Sequence, residues 1–130
     1  IDRKHWKRGS GIVDVEWMKP GSDQPDLGDG TTGIRYANGP VFAPAHRDEI
    51  QDYEVLGVYR SEIALNGAPT GVMPGTPAVI MGSWGDGRAI LLSPHLESVQ
   101  SDPETRRNLL ELLPWLAGIS PPGSSPESDQ

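Results

Sequence analysis

Apolar and polar side chains alternate over residues 11–17, where Ile12, Val13, Val15 and Trp17 are interleaved with Asp14 and Glu16. A repeat close to two is that of a half-buried strand, so the first element is β. Residues 33–37 form a second, shorter strand that runs into the turn signal Asn38-Gly39-Pro40. Residues 53–59 carry Val55, Leu56 and Val58 and make a third. Two continuous apolar runs follow, Ala78-Val79-Ile80-Met81 and Ala89-Ile90-Leu91-Leu92. The Asp86-Gly87 pair between them suits a tight hairpin and places the two runs side by side and antiparallel. Residues 19–32, with two Pro, three Gly and three Asp, read as a mobile loop, and residues 69–77 as further turn chemistry.

The last element begins at Ser101-Asp102-Pro103-Glu104. Asp102 suits the cap, Pro103 the first helical position, and Glu104 the positive end of the helix dipole. Leu109, Leu110, Leu112, Leu113 and Leu116 supply an apolar stripe for the core. Pro114 cannot donate a hydrogen bond, so a kink or an end is expected near Leu113 and a full stop by Gly118. From Ser120 onward the chain is Pro, Gly, Ser and acidic residues with nothing to bury, so 1–118 is read as the folded part and 119–130 as a disordered tail.

Composition narrows the classes. A chain of 130 residues can bury one core, and 16 Gly with 13 Pro indicate short elements joined by many turns. A formal charge of -7 argues against nucleic acid or an anionic membrane as partner, because their phosphates would be repelled. No apolar run approaches the ~20 residues that cross a bilayer, so the chain is expected to be soluble; its compartment is not readable. Cysteine is absent, which removes disulfides, thiolate metal sites and a cysteine nucleophile from this polypeptide. The chain opens on Ile1 without a charged and apolar leader, and is read as an interior cut.

Candidate chemistry centres on Ser93-Pro94-His95-Leu96-Glu97, directly after the last apolar run. In an extended segment residues i and i+2 share a side, so His95 and Glu97 can face one way while Leu96 packs inward. A carboxylate bonded to one imidazole nitrogen fixes the tautomer and leaves the other as a base, the supporting part of a nucleophile triad. A surface pair at a strand end fits the same spacing. Ser93 lies on the same strand with Pro94 restricting the turn, a poor approach for an activated nucleophile. His5 with Lys4, Lys7 and Arg8 reads as a solvated basic turn rather than an anion site, and His46 beside Arg47, Asp48 and Glu49 as a surface residue. The three His show no ligand spacing, so no metal and no cofactor is expected. The four Trp are scattered and read as packing, and Gly28-Asp29-Gly30 lacks the strand-to-helix setting of a phosphate loop.

The stretch from Gly82-Ser83-Trp84-Gly85-Asp86-Gly87-Arg88 through Leu92-Ser93-Pro94-His95-Leu96-Glu97 resembles the closing part of class I glutamine amidotransferase-like domains. There a Gly-Arg leads into a strand and a Ser-Pro-His-Pro-Glu motif. Residues 2–11, Tyr36-Ala37-Asn38-Gly39-Pro40, Tyr53-Glu54-Val55-Leu56 and Gly67-Ala68-Pro69-Thr70-Gly71-Val72-Met73 extend the likeness. Together they are similar to a bacterial branch related to the amino-terminal domain of biotin-protein ligases, over about residues 2–117.

The resemblance implies an α/β, flavodoxin-like fold, of which this chain would hold an incomplete β-rich portion with a C-terminal helix. It also implies a Cys-His-Glu triad that hydrolyses a small amide through a thioester, with His95 as general base and Glu97 as its orienting partner. Leu96 stands where the motif has proline, and the cysteine elbow would lie upstream of residue 2. A missing amino-terminal half or a partner chain would then carry the nucleophile. Without it, the apolar runs at 78–81 and 89–92 are expected to lack neighbours, leaving the chain marginal or dependent on another chain. Two functions follow: the His-Glu half of an amidotransferase-like hydrolase, inactive alone, or a non-catalytic binding or structural domain of the same fold.

Overall fold

In the computed structural model, which describes residues 7–21, 24–44, 46–49 and 53–118, the alternating segments become strands. They are β1 (Ser10–Trp17), β2 (Thr31–Ala37), β3 (Glu54–Tyr59), β4 (Pro77–Trp84) and β5 (Gly87–Leu92). All lie in one sheet of order β2-β1-β3-β4-β5, and every pairing is antiparallel. The expected flavodoxin-like parallel sheet is therefore corrected to a curled antiparallel half-barrel. A parallel pair needs a long crossover, usually a helix, between its strands. The helical segment here follows the last strand and can serve no crossover.

Alternation sets the faces. Val13, Val15 and Trp17 of β1 and Ile34 and Tyr36 of β2 point into one core, joined by Leu56 and Tyr59 of β3 across the register shifts at residues 55–58, while Ile12, Asp14, Thr31 and Glu54 stay exposed. Tyr36 and Tyr59 meet edge to face with ring centroids 5.9 Å apart. β4 is covered on both sides: Ala78, Val79, Ile80 and Met81 are all buried. The expected loss of neighbours at 78–81 is thus not seen, because β3 and β5 flank the strand on both sides. β5 differs, with Leu91 half exposed on the outer face.

The β4–β5 hairpin turns on Gly85 and Asp86, since Trp84 pairs with Gly87. Only Gly85 has positive φ there (59°), the pattern of a type II′ turn with glycine first, so the turn lies one residue earlier than Asp86-Gly87. The loop after β1 is pinned by Leu27, which is buried in the core.

The helical segment starts as its residues require. Asp102 Oδ2 accepts the Thr105 N–H at 3.0 Å, and Pro103 opens α1 (Pro103–Asn108). A 3₁₀ turn at Leu109–Glu111 then leads to α2 (Leu112–Leu116). The irregularity falls one turn before Pro114, whose ring crowds the carbonyl of residue i−4 and which has no N–H to offer it. Gly118, at φ 81°, ends the helix. Leu112 and Trp115 are buried and Leu109 packs on the core, but Leu110, Leu113 and Leu116 face outward, which corrects the expected inward stripe. The tail expected at 119–130 and the motif at 2–6, with His5, lie outside the described residues.

Candidate functional site

The chain leaves β5 through a corner held by buried hydroxyls. Tyr59 donates to Ser93 Oγ at 2.6 Å, and the Ser93 hydroxyl donates to the Pro40 carbonyl at 2.6 Å. Burial holds the Tyr59 phenol protonated well above its usual range, opposed by the Ser93 hydrogen bond. Ser93 is itself buried, so its hydroxyl is structural and unavailable for attack. Pro94 then carries the backbone across to the free edge of β2.

There His95 forms an antiparallel bridge with Arg35, and its N–H donates to the Arg35 carbonyl at 2.7 Å. The His95 carbonyl accepts from the Ser101 hydroxyl at 2.6 Å and from the Ser98 N–H at 3.2 Å. Leu96 is fully buried and anchors the segment from below. The backbone under the imidazole is thus fixed on three sides.

The structure brings together the two predicted site residues. His95 Nδ1 lies 3.0 Å from Glu97 Oε2. Their approach comes from a turn over residues 95–98 rather than from the extended alternation expected. The side chains are 47% and 61% exposed, so the pair lies on the surface. A pair so exposed contributes at most about 1 kcal/mol to folding. Its consequence is orientation: a carboxylate on Nδ1 favours the tautomer protonated there and leaves Nε2 as the acceptor. No hydrogen bond reaches Nε2 among the described residues.

Other predicted residues fall elsewhere. Arg8, read as part of a solvated basic turn, is 1% exposed. Its Nε donates to the Ile63 carbonyl at 3.0 Å and its Nη2 to Glu62 Oε1 at 3.1 Å, while Nη1 has no partner among the described residues. No sequence signal joins positions so far apart. His46 is exposed, as expected of a surface residue. Trp17 and Trp115 are core residues, the latter under the Arg88 guanidinium at 4.7 Å.

Sequence reasoning also missed a cavity of about 550 Å³ at the end of β1, lined by Trp17, Met18, Lys19, Asp26, Gly28 and Asp29. Gly28 admits no side chain, because a Cβ there would stand 2.7 Å from the Trp17 ring. None of its lining residues belongs to the His95 segment. Among the described residues no group of three His, Cys, Asp or Glu could hold a metal, and no helix is long and apolar enough to cross a membrane. Compared with known proteins, the chain matches no family model, no curated protein and no solved structure.

Proposed function

We propose that this chain supplies the His95–Glu97 part of a Cys-His-Glu centre that hydrolyses a small amide in the manner of class I glutamine amidotransferases. The cysteine comes from a polypeptide segment outside this sequence. The observation that carries the reading is the 3.0 Å contact of His95 Nδ1 with Glu97 on a backbone held by Arg35 and Ser101, with the other ring nitrogen open to an incoming group. A pair with little structural value, held this firmly, suits a catalytic base better than a fold element.

The chemistry is that of an activated thiol. His95 Nε2 takes the thiol proton as sulfur bonds to the amide carbon. It returns that proton to the departing ammonia, leaving a thioester. Water then adds with Nε2 as base, the carbon–sulfur bond breaks, and the carboxylic acid and free thiol remain. Glu97 stabilises the imidazolium formed in each half.

The test measures glutaminase and simple-amide turnover in two proteins: this chain, and the complete reading frame that encodes it. The chain alone is expected to show none, having no cysteine. The complete protein is expected to turn over, and His95→Ala to lower kcat at least about 100-fold. Turnover by the chain alone, or full activity of His95→Ala in the complete protein, would contradict the proposal.

A second reading, a non-catalytic binding module, is favoured by the cavity at Trp17, since it is separate from the His95 segment. Ligand-induced shifts confined to Trp17, Lys19 and Asp26, with no amide turnover in either protein, would select it.

A further inference from the structure

The buried hydroxyl of Ser101 ties two polar residues of the outer face together. It accepts the Arg35 N–H at 2.9 Å and donates to the His95 carbonyl at 2.6 Å, while the His95 N–H donates to the Arg35 carbonyl at 2.7 Å. Residues paired across an antiparallel bridge point to the same side, with Cβ atoms about 5 Å apart. Ile34, Tyr36, Pro94 and Leu96 are buried, so the Arg35 guanidinium and the His95 imidazole both project outward.

Arg8, Arg47 and Arg60 each pair with a glutamate. Arg35 meets a glutamine instead, its Nη1 donating to Gln100 Oε1 at 2.6 Å. A neutral amide orients the guanidinium without neutralising it. Among the described residues no carboxylate pairs with Arg35: Glu97 is engaged by His95 Nδ1, and Asp14, diagonal to Arg35 on β1, forms no ion pair with it. Its Nε and Nη2 bond nothing among those residues either. These two groups are the side of a guanidinium that receives a carboxylate through two parallel hydrogen bonds.

The imidazole supplies the opposite capacity. With its Nδ1–H on Glu97, Nε2 can only accept, so it suits a hydroxyl or N–H of a ligand and not the carboxylate itself. Ile12, the cross-strand partner of Arg35 and 50% exposed, adds an apolar wall. The chain's charge of -7 disfavours a polyanion, so a single small acid fits better. We infer that Arg35, His95 and Ile12 form a binding site for a small carboxylic acid with a hydrogen-bond donor next to its carboxylate, as in an α-hydroxy acid. The carboxylate lies on Arg35 Nε and Nη2, the hydroxyl donates to His95 Nε2, and the carbon chain rests on Ile12. Gln100 and Ser101 are positioning residues. The site needs the Nδ1–H tautomer of His95 and no nucleophile, so it stands apart from the amide chemistry proposed above.

Titration of this chain with lactate, followed in ¹H–¹⁵N spectra, tests the site, with propionate, lactamide and sodium chloride as controls. Lactate is expected to shift the Arg35 Nε–H and the amides of Arg35 and His95 with a Kd in the millimolar range. Propionate, which lacks the donor, should bind the same residues about 5-fold more weakly, and lactamide and chloride should not saturate. Gln100→Glu neutralises the guanidinium and is expected to weaken lactate at least about 10-fold; Arg35→Lys keeps the charge, loses the fork and should cost at least about 5-fold. In His95→Ala lactate and propionate are expected to bind equally. Chloride that reproduces the lactate shifts at equal ionic strength would overturn the site, by reducing it to screening of an exposed charge. So would equal binding of lactate and propionate to the wild type, undiminished binding to Gln100→Glu, or shifts centred on Arg106 and Arg107. Lactate bound as described, with no amide turnover in the complete protein, would support the site and remove the proposed chemistry.

Discussion

Glu62→Ala is expected to lower the unfolding free energy by about 3 kcal/mol at neutral pH, because it strands a buried guanidinium. Arg8 is 1% exposed, and one of its nitrogens already has no partner among the described residues. Among the described residues Glu62 is its only countercharge, at 3.1 Å, and it also accepts the Gly71 N–H at 2.8 Å. The lower end of the range for a broken buried pair applies, since the Glu62 side chain is 21% exposed and water reaches the gap. Denaturant unfolding measures the loss, and a change below about 0.5 kcal/mol, the span of ordinary surface substitutions, would contradict it.

The same contact has a pH signature. The Gly71 N–H holds the Glu62 carboxyl below its ordinary value of 4.5; partial burial opposes this, and the Met73 N–H, Arg8 and the Val72 N–H reinforce it. A depressed folded value means the stabilisation is fully present above the ordinary glutamate range and is lost as pH falls through the folded value. The gap between wild type and Glu62→Ala should therefore be widest near neutrality and close in acid. A gap that stays constant with pH would mean that Glu62 acts through packing and not charge.

Gly39→Ala is expected to cost about 3 kcal/mol or to prevent folding, through a clash with backbone rather than through strain in its own dihedrals. A Cβ at position 39 would stand 2.1 Å from the Ser93 carbonyl oxygen, 2.7 Å from Ser93 Oγ and 2.9 Å from the Ser93 carbonyl carbon. Shortening the Ser93 side chain gives no relief, because the nearest atom is main chain. The corner that must move is the one that delivers His95 to β2. Gly82→Ala is the control: a Cβ there meets nothing within 4 Å, so its effect should fall within about 0.5 kcal/mol. Equal stability of the two variants would show that the 39–93 approach is not as close as described.

β1 and β2 are legible in the sequence because each buries one face, and that requirement writes itself as alternation in Val13 and Val15, Ile34 and Tyr36, while β3, β4 and β5 show as short apolar runs bounded by turn residues. The start of α1 is equally legible, since a cap is a local device and Asp102 with Pro103 completes it. Strand direction is not local. The resemblance to amidotransferase-like domains implied a parallel sheet, whereas the hairpin signal between residues 81 and 89 made only the last pair of strands antiparallel. Long-range pairings left no trace: Arg8 with Glu62, Gly39 with Ser93, and Tyr59 with Ser93 join segments whose separation only the folded sheet removes. The outward leucines of the helical segment were misread because a stripe of period 3.6 assumes a regular helix, and the 3₁₀ turn at Leu109–Glu111 rotates the residues after it.

Of the site, the identity and closeness of His95 and Glu97 were readable from their spacing, and the turn that joins them was not. Their exposure is that of a surface pair at a strand end, which the same spacing also fits. That exposure is why the pair has functional interest: Leu96 and Ser101 fix the backbone, so the imidazole is held without being enclosed.

The tautomer of His95 tests the central claim most directly. ¹⁵N chemical shifts of the neutral imidazole, measured in wild type and in Glu97→Ala, report which nitrogen carries the proton. We predict that wild type holds the proton on Nδ1 with Nε2 unprotonated, and that Glu97→Ala shifts the population toward the Nε2–H form. A proton found on Nε2 in wild type, or a population untouched by Glu97→Ala, would contradict the assignment of His95 as an oriented base.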